Sequence, residues 1–283
     1  MITLEQIEQL RAQVSGWRKE GQRIALVPTM GNLHVGHLKL VEHARQLADR
    51  VMVSIFVNPL QFGQGEDFDS YPRTLDEDSR KLEAYAADLL FAPTVSEVYP
   101  RPQAEQTKVE VPGLSSILCG QSRPGHFAGV ATVVCKLFNM TQPDVAVFGE
   151  KDFQQLMVIR RMVEDLQIPV EIEGMATVRE ADGLAMSSRN GYLTSAERAR
   201  APTIFRVLNQ TAEALLAGES DFPALQRSAC SELESAGLRP DYYQIRRAQD
   251  LQPPNSTEKA LVILAAAYLG NARLIDNKTV TIS

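Results

Sequence analysis

The stretch Ile24-Ala25-Leu26-Val27-Pro28-Thr29-Met30-Gly31-Asn32-Leu33-His34-Val35-Gly36-His37 decides how the rest of the chain is read. Its first four residues are an apolar run of strand type, broken at Pro28. Beyond Gly31 the apolar period becomes helical. Leu38, Val41, Arg45 and Ala48 fall on one side, with Leu40, Ala44 and Leu47 beside them. The string His34-Val35-Gly36-His37 therefore sits where a strand turns into a helix. Such a turn aims backbone N–H groups past the strand end, and the helix dipole favours an anion there. Imidazoles three residues apart occupy neighbouring ridges of the first helical turn. Gly36 removes a side chain where a ligand has to come close. The arrangement suits the phosphates of a nucleotide. Two histidines at this spacing also suit a metal, but that reading needs further ligands. Only His43 and His126 remain as histidines, and no cysteine pair lies nearby.

The chain has 283 residues, enough for one or two domains with a large core. Its net charge of -6 argues against a nucleic-acid-binding surface, where a basic stripe is expected, and leaves room for a local basic pocket for ATP. Cys119, Cys135 and Cys230 are odd in number and far apart, which points to a reducing, cytoplasmic setting without a disulfide framework. The N-terminal residues carry acid early and no long apolar core, so no signal peptide is expected. The most apolar stretch, Ala260 to Leu269, is too short to cross a membrane.

In chain order, residues 3–20 read as an amphipathic helix, with Leu4, Ile7, Leu10 and Val14 on one face. Strand 24–28, helix 37–49 and strand 51–57 make a β-α-β unit of the kind that builds a parallel sheet covered on both faces. The polar, glycine-bearing stretch from Gly63 to Thr74 reads as a lid or binding loop. A helix over 75–87, a strand at 88–91, an irregular stretch over 92–127 with a strand at Thr107 to Val111, and a helix over 128–139 follow. A strand over 144–148, a helix from Lys151 to Leu166 and a strand over 170–172 complete the first domain, residues 1–176. Past that point the pattern shifts. Thr194 and Glu197 have capping-box spacing at the start of a helix running to about Ala217, and a second helix runs from Pro223 to about Ala236. Strand-like runs at 242–246, 261–267 and 272–275 then predict a smaller α+β domain over 177–283. The expected class is α/β: a Rossmann-like, doubly wound parallel sheet with a C-terminal α+β domain.

Two further constellations stand out. Gly149-Glu150-Lys151-Asp152 lies at another strand-to-helix junction, and ligands of open parallel sheets gather at the carboxyl ends of strands. Lys151 is then available for phosphate, and Asp152 for a ribose hydroxyl, although the same residues also describe a plain capped helix start. Met186-Ser187-Ser188-Arg189-Asn190 is a loop bounded by Gly183 and Gly191. Its hydroxyls and guanidinium suit a mobile clamp on phosphate oxygens, or equally a polar surface turn.

Taken together, the three motifs resemble the nucleotidyltransferase superfamily related to class I aminoacyl-tRNA synthetases, with Met186 to Asn190 standing in for its lysine-serine-lysine-serine loop. Within it, the segments Pro28–Gly31 with Leu33–His37, Phe56–Phe62, Tyr71–Thr74, Arg123–Phe127, Gly149–Gln155 and Met186–Asn190 resemble the pantothenate synthetase (pantoate–β-alanine ligase) family, and the likeness runs the length of the chain. That resemblance implies ATP-dependent joining of pantoate and β-alanine through a pantoyl-adenylate, giving pantothenate, AMP and pyrophosphate. It implies Mg²⁺ with ATP and a homodimer, with no nucleic-acid or membrane partner.

The resemblance also implies roles for residues. Met30, Gly31, Asn32, Leu33, His34, Val35, Gly36 and His37 would hold ATP, with His34 and His37 on its phosphates and His37 catalytic. Gly149, Glu150, Lys151, Asp152 and Val178 would contact the nucleotide, Lys151 also reaching phosphate, and Met186, Ser187, Ser188 and Arg189 would close over it. Gln61 and Gln155 would hold pantoate, with Gln61 also near β-alanine. Asn58, Arg123 and His126 are further pocket candidates, and Asp76, Glu77 and Asp78 are candidates for placing Mg²⁺. The rival readings are a sister enzyme transferring AMP or CMP to a phosphorylated acceptor, a tRNA synthetase, and an inactive nucleotide-binding module. The first should lack paired glutamines for a carboxylate substrate. A short acidic chain without a tRNA-binding extension disfavours the second, and the intact lysine, arginine and histidines disfavour the third.

Overall fold

The computed structural model describes residues 1–63, 65–255 and 257–282. These fall into two compact units, residues 1–150 with 155–176, and residues 151–154 with 177–283. Among the described residues, no helix is long and apolar enough to cross a membrane.

The first unit is built on six parallel strands: β1 (Ile2–Leu4), β2 (Ile24–Thr29), β3 (Arg50–Ile55), β4 (Leu89–Phe91), β5 (Val145–Gly149) and β6 (Glu171–Met175). Their order is β1-β4-β3-β2-β5-β6. The chain winds outward from β2 through β3 and β4, then returns to lay β5 and β6 on the other side. The order thus reverses between β2 and β5, the place where such sheets open a crevice. Helices α1 (Ile7–Lys19), α2 (Val35–Leu47), α3 (Leu75–Ala84), α4 (Val95–Val98), α5 (Cys119–Ser122), α6 (His126–Thr141) and α7 (Phe153–Asp165) connect the strands. Ile24, Ala25, Leu26 and Val27 are wholly buried, as a central strand covered on both faces requires. The β2–β5 ladder ends at Leu26 with Ala146, so Pro28, which has no N–H, comes after that pairing has stopped.

The second unit packs α8 (Ser195–Arg200), α9 (Thr203–Leu216) and α10 (Phe222–Ser235) with the antiparallel strands β7 (Arg239–Arg247), β8 (Ala260–Leu269) and β9 (Ala272–Thr281). The ten-residue apolar run is the central strand β8, and its Leu261, Ile263, Ala265 and Ala267 share a core with Ile204, Leu208 and Leu233 of the helices.

The structure departs from the sequence reading in four places. Thr3 and Leu4, read as the start of the first helix, belong instead to the short parallel edge strand Ile2–Leu4, whose Ile2 pairs with Leu89. The helix starting at Thr194 is two helices, because Pro202 has no N–H to continue the first. Residues 107–111 form no strand. The Val109 N–H donates to the Thr132 hydroxyl, and the Val111 N–H to the Ser115 hydroxyl, so side chains take the place of a ladder. Finally, β9 continues past Ile275 to Thr281, through the polar run Asp276-Asn277-Lys278.

Candidate active site

In the first unit, the turn after β2 is held from behind. Gly31 has φ +82° and Asn32 φ +51°, so the chain reverses sharply. The side chain of Asp78, on α3 and wholly buried, accepts the Asn32 and Leu33 N–H groups at 2.8 Å each and the Thr74 hydroxyl at 3.1 Å. The Lys81 ammonium donates to the Leu33 carbonyl at 2.8 Å. These contacts set the direction in which the chain enters α2.

His34 is the N-cap of α2. Its Nδ1 accepts the Gly36 N–H at 3.1 Å, and His37 Nδ1 accepts the His34 N–H at 3.3 Å. The two rings lie 4.0 Å apart at 35°. A nitrogen that accepts from backbone N–H carries no proton, so in each neutral ring the proton sits on Nε2. The helix cap therefore fixes both imidazoles as Nε2–H donors at a helix N-terminus, where the backbone also favours an anion.

Asn58, 1% exposed, organises the next group. Its amide donates to Gln61 Oε1 at 3.0 Å and to the Gly129 carbonyl at 3.1 Å, and its oxygen accepts the Tyr99 hydroxyl at 2.9 Å. Burial pushes the Tyr99 phenol well above the usual tyrosine range, so it stays a donor. With Gln61 Oε1 occupied, its amide N–H₂ is the end left to donate, and it lies 3.1 Å from Met30 Sδ. Gln61 and the histidine turn are thus adjacent. The 3-10 turn Pro59–Gln61 can approach α6 this closely because Gly129 has no Cβ; one there would strike the Leu60 carbonyl.

Behind Gln61, Arg123 makes a two-bond fork with Glu66, with Nε to Oε1 at 2.7 Å and Nη2 to Oε2 at 2.6 Å. Arg123 Nη1 lies 3.1 Å from His126 Nε2, and the Gln61 carbonyl accepts from Arg123 Nη2 at 3.3 Å and lies 2.8 Å from His126 Nδ1. Burial works against the Glu66 charge, but the Arg123 hydrogen bonds and charge outweigh it and hold its carboxyl below the usual glutamate value. Glu66 belongs to the loop expected as a lid, of which Gln64 lies outside the described residues. Gly149 and Glu150 leave β5 at the order reversal, beside the end of β2. Gln155 sits half-buried in the first turn of α7.

In the second unit, Lys151 meets residues from far along the chain. Its carbonyl accepts the Asn277 amide at 3.0 Å, and its side chain, 18% exposed, lies 3.7 Å from Asp152. Lys151, Ser187 and Asn190 line one small pocket of about 10 Å³, room for a single water. Met186 N–H donates to the Val178 carbonyl at 3.0 Å, closing a hairpin that also pairs Arg179 with Ala185. Arg179 anchors it by a fork onto the buried Asp276 and by stacking on the Phe205 ring at 3.9 Å. Ser187 Oγ caps the following turn by accepting the Arg189 N–H at 3.2 Å.

The acidic run does not form a metal cage. Both Asp78 oxygens are taken by backbone N–H groups, and Glu77 pairs with Lys81 at 2.8 Å. Among the described residues no group of three His, Cys, Asp or Glu side chains is placed to hold a metal. The sequence marks Arg123 as a pocket candidate and Asp78 as a metal candidate, but it does not announce that Asp78 scaffolds the turn, that Glu66 forks onto Arg123 or that Arg179 anchors on Asp276, because each partner lies far away along the chain.

Residues 2–279 match the family profile described as pantoate-beta-alanine ligase. The chain is 60% identical over 277 residues to the pantothenate synthetase of Pseudomonas fluorescens Pf0-1, covering 98% of this chain and 97% of that one. It superimposes with a TM-score of 0.91 and 45% identity on the pantothenate synthetase of Thermus thermophilus, covering 98% and 99% of the two chains. With a TM-score of 0.81 and 36% identity it matches the pantoate-beta-alanine ligase of Francisella tularensis, solved in complex with beta-gamma ATP and beta-alanine, over 98% and 97% of the chains.

Proposed function

The chain belongs to the pantoate–β-alanine ligase family, and from that premise we propose how its own residues divide the work of making pantothenate from pantoate, β-alanine and ATP. A carboxylate acylates poorly until one of its oxygens becomes part of a leaving group. The pantoate carboxylate attacks the α-phosphorus of ATP, the bond to the bridging oxygen breaks, and pyrophosphate departs, leaving a mixed anhydride. The β-alanine amine then attacks the acyl carbon, loses a proton, and AMP leaves. The reaction needs no enzyme nucleophile. It needs charge stabilisation on phosphate oxygens and exclusion of water from the anhydride.

The observation that carries the assignment is the pair of capped histidines. With Nδ1 of each ring committed to backbone N–H, His34 and His37 offer Nε2–H to the ATP phosphates, and His37 is the catalytic donor. Met30 to His37, Gly149 to Asp152, Val178 and Met186 to Arg189 hold ATP, with Lys151 and Arg189 adding positive charge on phosphate. Gln61 donates its N–H₂ to pantoate and lies near the incoming amine, and Gln155 is the second pantoate contact. Mg²⁺ enters as part of the Mg·ATP substrate, bound mainly by the phosphates, as is usual for this ion. Residues 1–176 serve as the nucleotide- and pantoate-binding domain, and 177–283 as the domain that closes over ATP. The working state is a homodimer in the cytoplasm, with no nucleic-acid or membrane partner. The resemblance supports the dimer, and the acidic balance and the three free cysteines support the setting.

The test is isotope exchange. With pantoate and Mg·ATP but without β-alanine, labelled pyrophosphate should exchange into ATP, and AMP should accumulate only when the amine is added. Exchange that depends wholly on β-alanine would count against a free adenylate. AMP transfer to a phosphorylated acceptor would favour the sister-enzyme reading.

A further inference from the structure

Arg123 spends its donors unevenly. Nη1 and one proton of Nη2 face His126 and the Gln61 carbonyl, which belong to the framework. The Nε–Nη2 edge, the one shaped for a carboxylate, is filled by Glu66. The pair is sheltered, with side chains 18% and 25% exposed. Glu66 comes from a loop that also has contacts of its own. Phe62 packs edge-on against Phe68 and Tyr71 at 5.3 and 5.8 Å, and Arg73 stacks on Phe68 and donates to the Phe68, Asp69 and Tyr71 carbonyls.

Arg123 also holds the backbone of Gln61, the residue read as lying near the incoming amine, and the following step rests on the ligase reading. The two acid substrates differ in what happens to their carboxylates. That of pantoate is the nucleophile and must meet phosphorus. That of β-alanine is a spectator, two methylenes from the reacting amine, and needs a fixed cation to orient it. We propose that Glu66 is an internal stand-in for the β-alanine carboxylate, occupying the Arg123 fork until the amine substrate displaces it. Two carboxylates cannot share one fork, so β-alanine binds only the fraction of enzyme in which Glu66 has let go. Its apparent affinity is lowered by that fraction. The contact thereby keeps the Arg123 charge satisfied while the adenylate forms and sets a threshold concentration for the amine.

The experiment compares the full-length enzyme with Glu66→Gln and Glu66→Asp in the complete reaction and in pyrophosphate exchange without amine. Removing the charge should lower the KM for β-alanine by about tenfold, the change expected if the competent fraction is roughly one tenth. The pantoate-dependent exchange rate should stay within about twofold, and Glu66→Asp should fall between the two. With n-propylamine, which has no carboxylate, wild type and Glu66→Gln should react alike. In an Arg123→Gln background, Glu66→Gln should no longer change the KM for β-alanine. An unchanged or raised KM for β-alanine in Glu66→Gln, with normal exchange, overturns the proposal. Absence of pantoate-dependent exchange in the wild type overturns instead the free-adenylate step of the ligase reading beneath it.

Discussion

The Arg179 guanidinium meets the Asp276 carboxylate in a two-bond fork, at 2.6 and 2.9 Å, with the aspartate side chain only 4% exposed. Arg179 also donates to the Gly183 carbonyl, and Asp276 is followed by Asn277, which holds the Lys151 carbonyl. One short piece of β9 thus fixes both the hairpin leading to Ser187 and the turn carrying Lys151.

Arg179→Met should therefore lower stability by about 3 kcal/mol, because it leaves a buried carboxylate without its partner. The double variant Arg179→Met with Asp276→Leu should lose less than the single one, since no lone charge remains. Urea unfolding of the three proteins measures both. A double variant less stable than Arg179→Met would show that the fork contributes more than the desolvation it requires.

Asp78 should behave as a scaffold for the histidine turn. Asp78→Ala strips the buried Leu33 N–H and the part-buried Asn32 N–H of their acceptor, at about 1–3 kcal/mol for the buried one, and should slow pyrophosphate exchange by loosening the start of α2. Glu77→Gln, more exposed, should leave stability nearly unchanged. Excess Mg²⁺ should not restore exchange in Asp78→Asn; recovery with added Mg²⁺ would assign Asp78 to the metal after all.

The two parallel junctions could be read from the sequence because strand and helix periods change at His34 and again at Lys151, and a period is a local property. The smaller sheet could be read as far as Ile275, where polarity suggested an end. The strand continues because Asp276 and Asn277 are buried and spent on Arg179 and Lys151, partners 97 and 126 residues away. Asp78 was hidden for the same reason. Its neighbours in sequence mark an ordinary acidic helix start, and only the fold shows that it faces inward to Asn32 and Leu33. Residues 107–111 mislead in the opposite way, since their alternating pattern is matched by hydroxyls of Thr132 and Ser115 rather than by a neighbouring strand.

The Glu66–Arg123 pair should also mark the acid limb of stability. The Glu66 carboxyl titrates below its ordinary value of 4.5 in the folded chain. A depressed folded value means the stabilisation is complete above the unfolded value and disappears as pH falls through the folded one. The stability deficit of Glu66→Gln should thus be constant near neutral pH and shrink as the pH falls below the ordinary glutamate value of 4.5. A deficit that persists unchanged in acid would mean the pair acts through shape rather than charge.

The remaining prediction separates the two jobs of His37. Its Nδ1 caps α2 by accepting the His34 N–H, and its Nε2–H is the proposed donor to phosphate. An asparagine oxygen falls near the place of Nδ1 but reaches no further, so His37→Asn should keep the cap and lose the donor. Thermal unfolding should then stay close to wild type, while the rate of adenylate formation falls by about 10²–10³, the loss typical of one donor to a charge that grows in the transition state. Gln155→Ala should do the reverse in the kinetics. It should weaken pantoate by roughly ten- to a hundredfold, the cost of one buried hydrogen-bond partner, with ATP binding nearly intact. Rapid-quench measurement of the adenylate, with titrations of each substrate, distinguishes a rate defect from a binding defect. If His37→Asn formed adenylate at the wild-type rate while His37→Gln did not, the histidine would be acting through the helix cap alone. If Gln155→Ala bound pantoate normally and lost ATP, the two subsites would have to be exchanged.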